Sequence, residues 1–200
     1  MLRDISFYSV CILLFVAMFF YKSYKRFKFY KYFLLYLFFA AFFETLCRFY
    51  ENSMGIFHIY TFFEFNLIVL IYFYLVKEKK SHIVLYLLTF CFNIFYGMSF
   101  VFKELEKYTV PLLGLVVSVF LILYLKELLN SSKILKYQSM LSFWVTSGFL
   151  IYYLVSIPFF SVHSVGGFSS RYLFSILYFI ILLKNTSFIF GLLWSKKTEV

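Results

Sequence analysis

Acidic residues are scarce in this chain of 200 residues: nine Asp and Glu stand against nineteen Lys and Arg, and Asp4 is the only aspartate. A catalytic aspartate pair is therefore impossible. The three histidines, His58, His82 and His163, are scattered and form no His-Glu-x-x-His spacing, which removes that metalloprotease reading. Cys11, Cys47 and Cys91 are odd in number and lack a Cys-x-x-Cys spacing, so neither a disulfide framework nor a zinc site is indicated. No Gly-x-Ser-x-Gly elbow is present to expose a serine nucleophile. The expectation is a protein with no catalytic residue, no metal and no cofactor, hence no enzyme. Proline is limited to Pro111 and Pro158. Pro111 is placed in the first turn of a span, where a missing N–H is harmless, and Pro158 near the outer end of another, where it can kink the helix.

What the chain has in excess is apolar sequence. Hydrophobic residues make up 64% of it, against roughly 45–50% in soluble domains, and the mean hydropathy is +0.88. Seven apolar stretches, near 5–21, 33–47, 58–76, 82–102, 108–125, 140–160 and 172–194, fit or nearly fit the roughly 17–25 residues that a membrane-crossing helix needs. The second is the shortest. The first lacks the small-residue pattern of a cleavage site and is expected to remain as a span. The fold class predicted is an all-α polytopic membrane bundle of seven transmembrane helices forming a single integral membrane domain over residues 1–200.

The Lys and Arg residues alternate between the two sides of these stretches. The connectors beginning at Lys22, Lys77 and Lys126, with the tail after Trp194, hold thirteen of the nineteen, and the opposite side holds five. Because cytoplasmic loops retain positive charge, the split predicts the N-terminus outside and the C-terminus inside, in a cell inner membrane crossed several times. Reporter fusions at Lys79 and Lys197 are expected inside, and at Asn52 and His163 outside. The net charge of +10 lies in short loops beside the membrane rather than on a foldable surface, which suits anionic lipid and not nucleic acid. The densest cluster is Lys22, Lys25, Arg26, Lys28 and Lys31, interleaved with aromatic residues. It is a candidate contact for lipid headgroups or for a protein partner on the inner face, as is the stretch from Lys126 to Lys136.

The remaining basic residue, Lys184, belongs to neither side. It lies about twelve residues from either end of the last span, or roughly 18 Å by helical rise, too deep to reach water easily. Glu64 lies roughly 9 Å inside the third span by the same rise. Glu44 and Arg48 are spaced to pair on their own helix. With His58, Asn66 and Asn93, these residues fall at the middle or in the outer half of the membrane and are expected to line one cavity opening outward. Glu64 and Lys184 are the candidate charge pair, acting either as a switch between two helix arrangements or as a static clamp on helix register. The 32 Phe and 19 Tyr are read as lipid-facing filler.

Two segments carry a resemblance. The His-x-Tyr-Thr-x-x-Glu-Phe run from His58 to Phe65 and the Phe-Trp-x-x-Ser-Gly run from Phe143 to Gly148 resemble small, Phe-rich seven-span membrane proteins of Bacteroidota, a group to which no activity is attached. In length and class the chain is also similar to some membrane accessory proteins encoded beside RNA-guided defence nucleases. A lysine in the seventh span invites comparison with retinal-binding proteins, but the position one turn earlier is Ile180 rather than Asp, which speaks against a Schiff base. A possible duplication of spans one to three in spans five to seven has one local echo, Lys31-Tyr32 and Lys136-Tyr137. The leading expectation is a sensor or accessory subunit acting through a partner. The alternatives are a small transporter or channel and a defence-system accessory protein.

Overall fold

The computed structural model describes residues 2–50, 54–166 and 171–195. It is built from helices, α1 (Leu2–Phe19), the single turn α2 (Tyr21–Tyr24), α3 (Lys28–Phe49), α4 (Met54–Leu75), α5 (Lys79–Val101), α6 (Glu106–Leu129), α7 (Leu141–Gly166) and α8 (Arg171–Trp194). Short 3-10 stretches, Lys103–Leu105 and Ser132–Ser139, precede α6 and α7. Among the described residues there is no strand. Helices are what long apolar runs must form in lipid, where every backbone N–H and C=O has to be satisfied within its own segment.

All helices but α2 hold a stretch long and apolar enough to cross a membrane, seven in total. The second span is not short: α3 covers 22 residues, because the basic and aromatic residues from Lys28 onward are already helical. Its N-cap, Phe27, is extended and supplies no side-chain cap. The fifth span also starts earlier than expected, so Pro111 lies inside α6 rather than in its first turn. Pro158 lies inside α7, as expected from its position. Residues 51–53 and 167–170, the tail from residue 196 and the His163 side chain, on which sequence expectations fell, lie outside what is described.

Six helices close a ring in chain order, α1 on α3, α3 on α4, α4 on α6, α6 on α7, α7 on α8 and α8 back on α1, while α5 packs outside it against α4 and α6. Lipid offers little hydrophobic drive for helix association, so close packing has to hold the ring together. Small residues set the tightest contact. A Cβ on Gly148 would collide with the ring of Phe188 and come 3.1 Å from the Lys184 carbonyl, and one on Gly191 would stand 2.5 Å from Trp144 Cβ. Both glycines therefore bring α7 and α8 together, and Ser187 Oγ donates to the Trp144 carbonyl at 3.1 Å across the same seam. Large apolar side chains point outward, among them Phe15, Phe19 and Phe90 at 72%, 77% and 68% exposed, a surface suited to lipid and not to water.

The basic stretch between α1 and the start of α3 is anchored by its aromatics. Tyr24 is fully buried, donates to the Leu192 and Ser195 carbonyls and meets the Ser195 hydroxyl at 2.8 Å. Tyr30 donates to the Ala17 carbonyl at 2.7 Å. These residues pin the connector to the end of α8 and to α1, instead of floating in the interface.

Candidate functional site

Lys184 projects from α8 into the middle of the ring and is 8% exposed. Its Nζ donates to Tyr36 Oη of α3 at 3.1 Å and stands 4.6 Å from the centre of the Tyr152 ring of α7. Glu64 of α4 is 7% exposed, and its Oε1 accepts a hydrogen bond from Tyr153 Oη of α7 at 3.0 Å. Tyr60, one turn before Glu64, neighbours both that carboxylate and Tyr36. Both Glu64 and Glu44 act on the Lys184 charge through space, yet neither approaches Nζ within the 4.0 Å of an ion pair. The two ionisable groups are thus embedded in one shell of tyrosines rather than clasped directly. Phenol hydroxyls and ring faces stabilise a buried ammonium and carboxylate without a carboxylate–ammonium contact.

The Phe149 ring closes the basic side of this cluster. It is fully buried and lies 5.2 Å from the Tyr36 ring, 5.1 Å from Phe188 and 6.5 Å from Tyr72, centre to centre. Beyond it, hydroxyls line the interior toward the basic end. Tyr72 Oη donates to Thr146 Oγ1 at 3.0 Å, Thr146 donates to the Ser142 carbonyl at 2.8 Å, and Tyr124 Oη donates to Ser142 Oγ at 2.8 Å. Ser142, Thr146, Phe149 and Tyr153 follow one another on α7 at spacings of three or four residues, which is one helix face.

Tyr124 and Ser142 also form the floor of a recess of about 780 Å³ at the basic end of the bundle. The helix ends and connectors around α2–α3, α4–α5 and α6 supply its rim, including Arg26, Lys28, Lys77 and Lys126. Of the five cations singled out between Lys22 and Lys31, all are exposed, and Arg26 and Lys28 face this recess while Lys22, Lys25 and Lys31 do not line it.

The single outward cavity expected for seven polar residues is not what the ring builds. Depth along a helix says nothing about rotation around it. On α4, Asn66 points about 160° and His58 about 120° away from Glu64 at 3.6 residues per turn. Asn66 accordingly bonds the Phe62 carbonyl at 2.9 Å and reaches Asn93 Oδ1 of α5 at 3.4 Å. His58 stacks on Tyr96 of α5 at 4.7 Å, faces Ser99 Oγ at 3.3 Å and stands 3.9 Å from Glu106 of α6. Arg48 departs from its expected partner. It binds Asp4 of α1 at 3.1 Å and the Arg3 carbonyl at 3.1 Å, and covers the Phe7 ring at 4.1 Å. Glu44, half-buried, lies within electrostatic range of Lys184 as well as of Arg48 and Arg3. Of the seven residues, Glu64 and Lys184 therefore share the central site, with Glu44 within electrostatic range of it.

The tyrosines are the residues that composition alone hid. Tyr36, Tyr152 and Tyr153 lie at mid-span, where a buried phenol needs a partner, and that was the available signal. The two segments behind the resemblance both border the site: His58 to Phe65 carries Tyr60 and Glu64, and Phe143 to Gly148 ends on the glycine packed against Lys184.

Fold and site together define a multi-pass membrane protein: among the described residues seven helices are long and apolar enough to cross a membrane, and six of them ring a buried cluster of ionisable side chains. Comparison with protein-family models, curated proteins and solved structures finds no match to the chain.

Proposed function

We propose that the chain is a non-enzymatic protein of a bacterial inner membrane that works as a sensor or accessory subunit through a partner at its basic face. One observation carries this reading: α3, α4 and α7 each contribute side chains to both the central cluster and the recess at the basic end. A change at Glu64 or Lys184 that lets these helices move is therefore felt where a partner would dock. Packed interfaces respond to such a change by switching between arrangements, commonly through helix shifts of about 1–2 Å. The test is a pair of spin labels across the recess, at Arg26→Cys and Lys126→Cys, in a background otherwise free of cysteine. Glu64→Gln is expected to redistribute the label distances by about that amount or more. An unchanged distribution would remove the sensor reading.

Transport is the second reading, and the hydroxyl line from Tyr124 to Tyr72 favours it, because it leads from the recess to the Phe149 ring beside the charged cluster. In that case Phe149 is the gate. Proton or cation flux in proteoliposomes that depends on Glu64 supports transport, and partner binding without flux supports the accessory role.

A further inference from the structure

We propose that the recess at the basic end is a binding site for the headgroup of one anionic phospholipid. The fold gathers there four cations from three separate parts of the chain, Arg26 and Lys28 around the start of α3, Lys77 between α4 and α5, and Lys126 in the last turn of α6. All four are exposed, and among the described residues none is in an ion pair. The two carboxylates on the rim are already engaged. Glu127 accepts the backbone N–H groups of Lys77 and Glu78 at 2.8 and 3.1 Å, and Glu78 accepts the Ser81 hydroxyl at 3.0 Å. Counting both acids, the rim keeps a surplus of two positive charges, a match for one or two phosphate charges.

The walls point to lipid rather than to a free anion. Phe29 and Leu75 line the same recess, and a volume of about 780 Å³ holds a glycerophosphate with the first part of its acyl chains, far more than phosphate alone requires. The site lies at the ends of membrane-crossing helices, the depth at which headgroups reside. Topology requires only that cations lie on one side of the membrane. Arranging them from three parts of the chain around a recess is an additional property, and it stands whether the protein signals or transports.

The test uses the full chain in nanodiscs with a photoreactive phosphatidylglycerol and, separately, a photoreactive phosphatidylcholine, followed by peptide mapping. Phosphatidylglycerol adducts are expected to concentrate on residues 26–29, 74–78, 126–131 and 140–142, with about a tenfold preference over phosphatidylcholine, in line with the attraction of clustered basic residues to anionic headgroups. Unlabelled phosphatidylglycerol should compete and millimolar inorganic phosphate should not. Lys77→Gln with Lys126→Gln should abolish the preference, while Lys22→Gln with Lys25→Gln, equal in charge removed, should preserve it. Adducts spread along all basic connectors, equal labelling by both lipids, equal loss in both variants or competition by phosphate would each overturn the site. Mapping on the unmodified chain decides the matter even where a variant fails to fold.

Discussion

Replacing Lys184 by Met removes the hydrogen bond to Tyr36 and the contact with the Tyr152 ring, and leaves Glu64 with its tyrosine partners, Tyr153 and Tyr60. A hydrogen bond to a charged group contributes about 1.5–3 kcal/mol, and a desolvated cation–ring contact contributes about 2 kcal/mol. Relief of lysine desolvation offsets part of that loss, so the net cost expected is about 3 kcal/mol, at the lower edge of the 3–5 kcal/mol seen when one member of a buried pair is removed. Glu64→Gln should cost about 2–3 kcal/mol on the same grounds. With no carboxylate oxygen of the described residues within 4.0 Å of Nζ, the charge coupling is bounded at about 4 kcal/mol for an effective dielectric constant near 20. The double variant should accordingly recover about 2 kcal/mol relative to the sum of the single ones. Equilibrium unfolding in mixed micelles, followed by the fluorescence of Trp144 and Trp194, measures the cycle. Single costs below about 1 kcal/mol that add within about 0.5 kcal/mol would show that the two groups do not sense each other and would refute the shared site.

Gly148→Ala should destabilise the α7–α8 seam by about 1–3 kcal/mol through overpacking, whereas Gly55→Ala, with open space around it, should be neutral or mildly stabilising; the same unfolding assay separates them. Phe149→Ala should cost about 3–5 kcal/mol as a large-to-small core change and, under the transport reading, raise proton leak in proteoliposomes; absence of leak would leave Phe149 as packing only. Asp4 and Arg48, half-exposed and partly exposed, should show a coupling under about 1 kcal/mol, and Glu44 with Arg48 should show less than that pair; a larger Glu44–Arg48 coupling would contradict the pairing of α1 with α3.

Span number and type were legible because hydropathy and length decide them in a bilayer, and Lys184 and Glu64 stood out because depth alone makes a charge conspicuous. What escaped was rotation and partnership. Lys184 meets Tyr36 across 148 positions of sequence and Glu64 meets Tyr153 across 89, and no local pattern encodes either. Arg48 chose Asp4, 44 residues away, over the neighbour one turn back, because α1 lies against α3. The tyrosines were masked by a composition in which aromatic residues are everywhere, although a phenol at mid-membrane depth has the same need for a partner as an amide. The recess required knowing which connectors meet, a property of the closed ring rather than of any connector.

Side-specific cysteine labelling tests the seven-crossing, basic-face architecture most directly, in a background with Cys11, Cys47 and Cys91 replaced. Single cysteines at Lys79 and Lys136 should react only from the cytoplasmic side of oriented membranes, and one at Glu104 only from the opposite side. Lys79 and Glu104 reacting from the same side, or Lys79 and Lys136 from different sides, would contradict it.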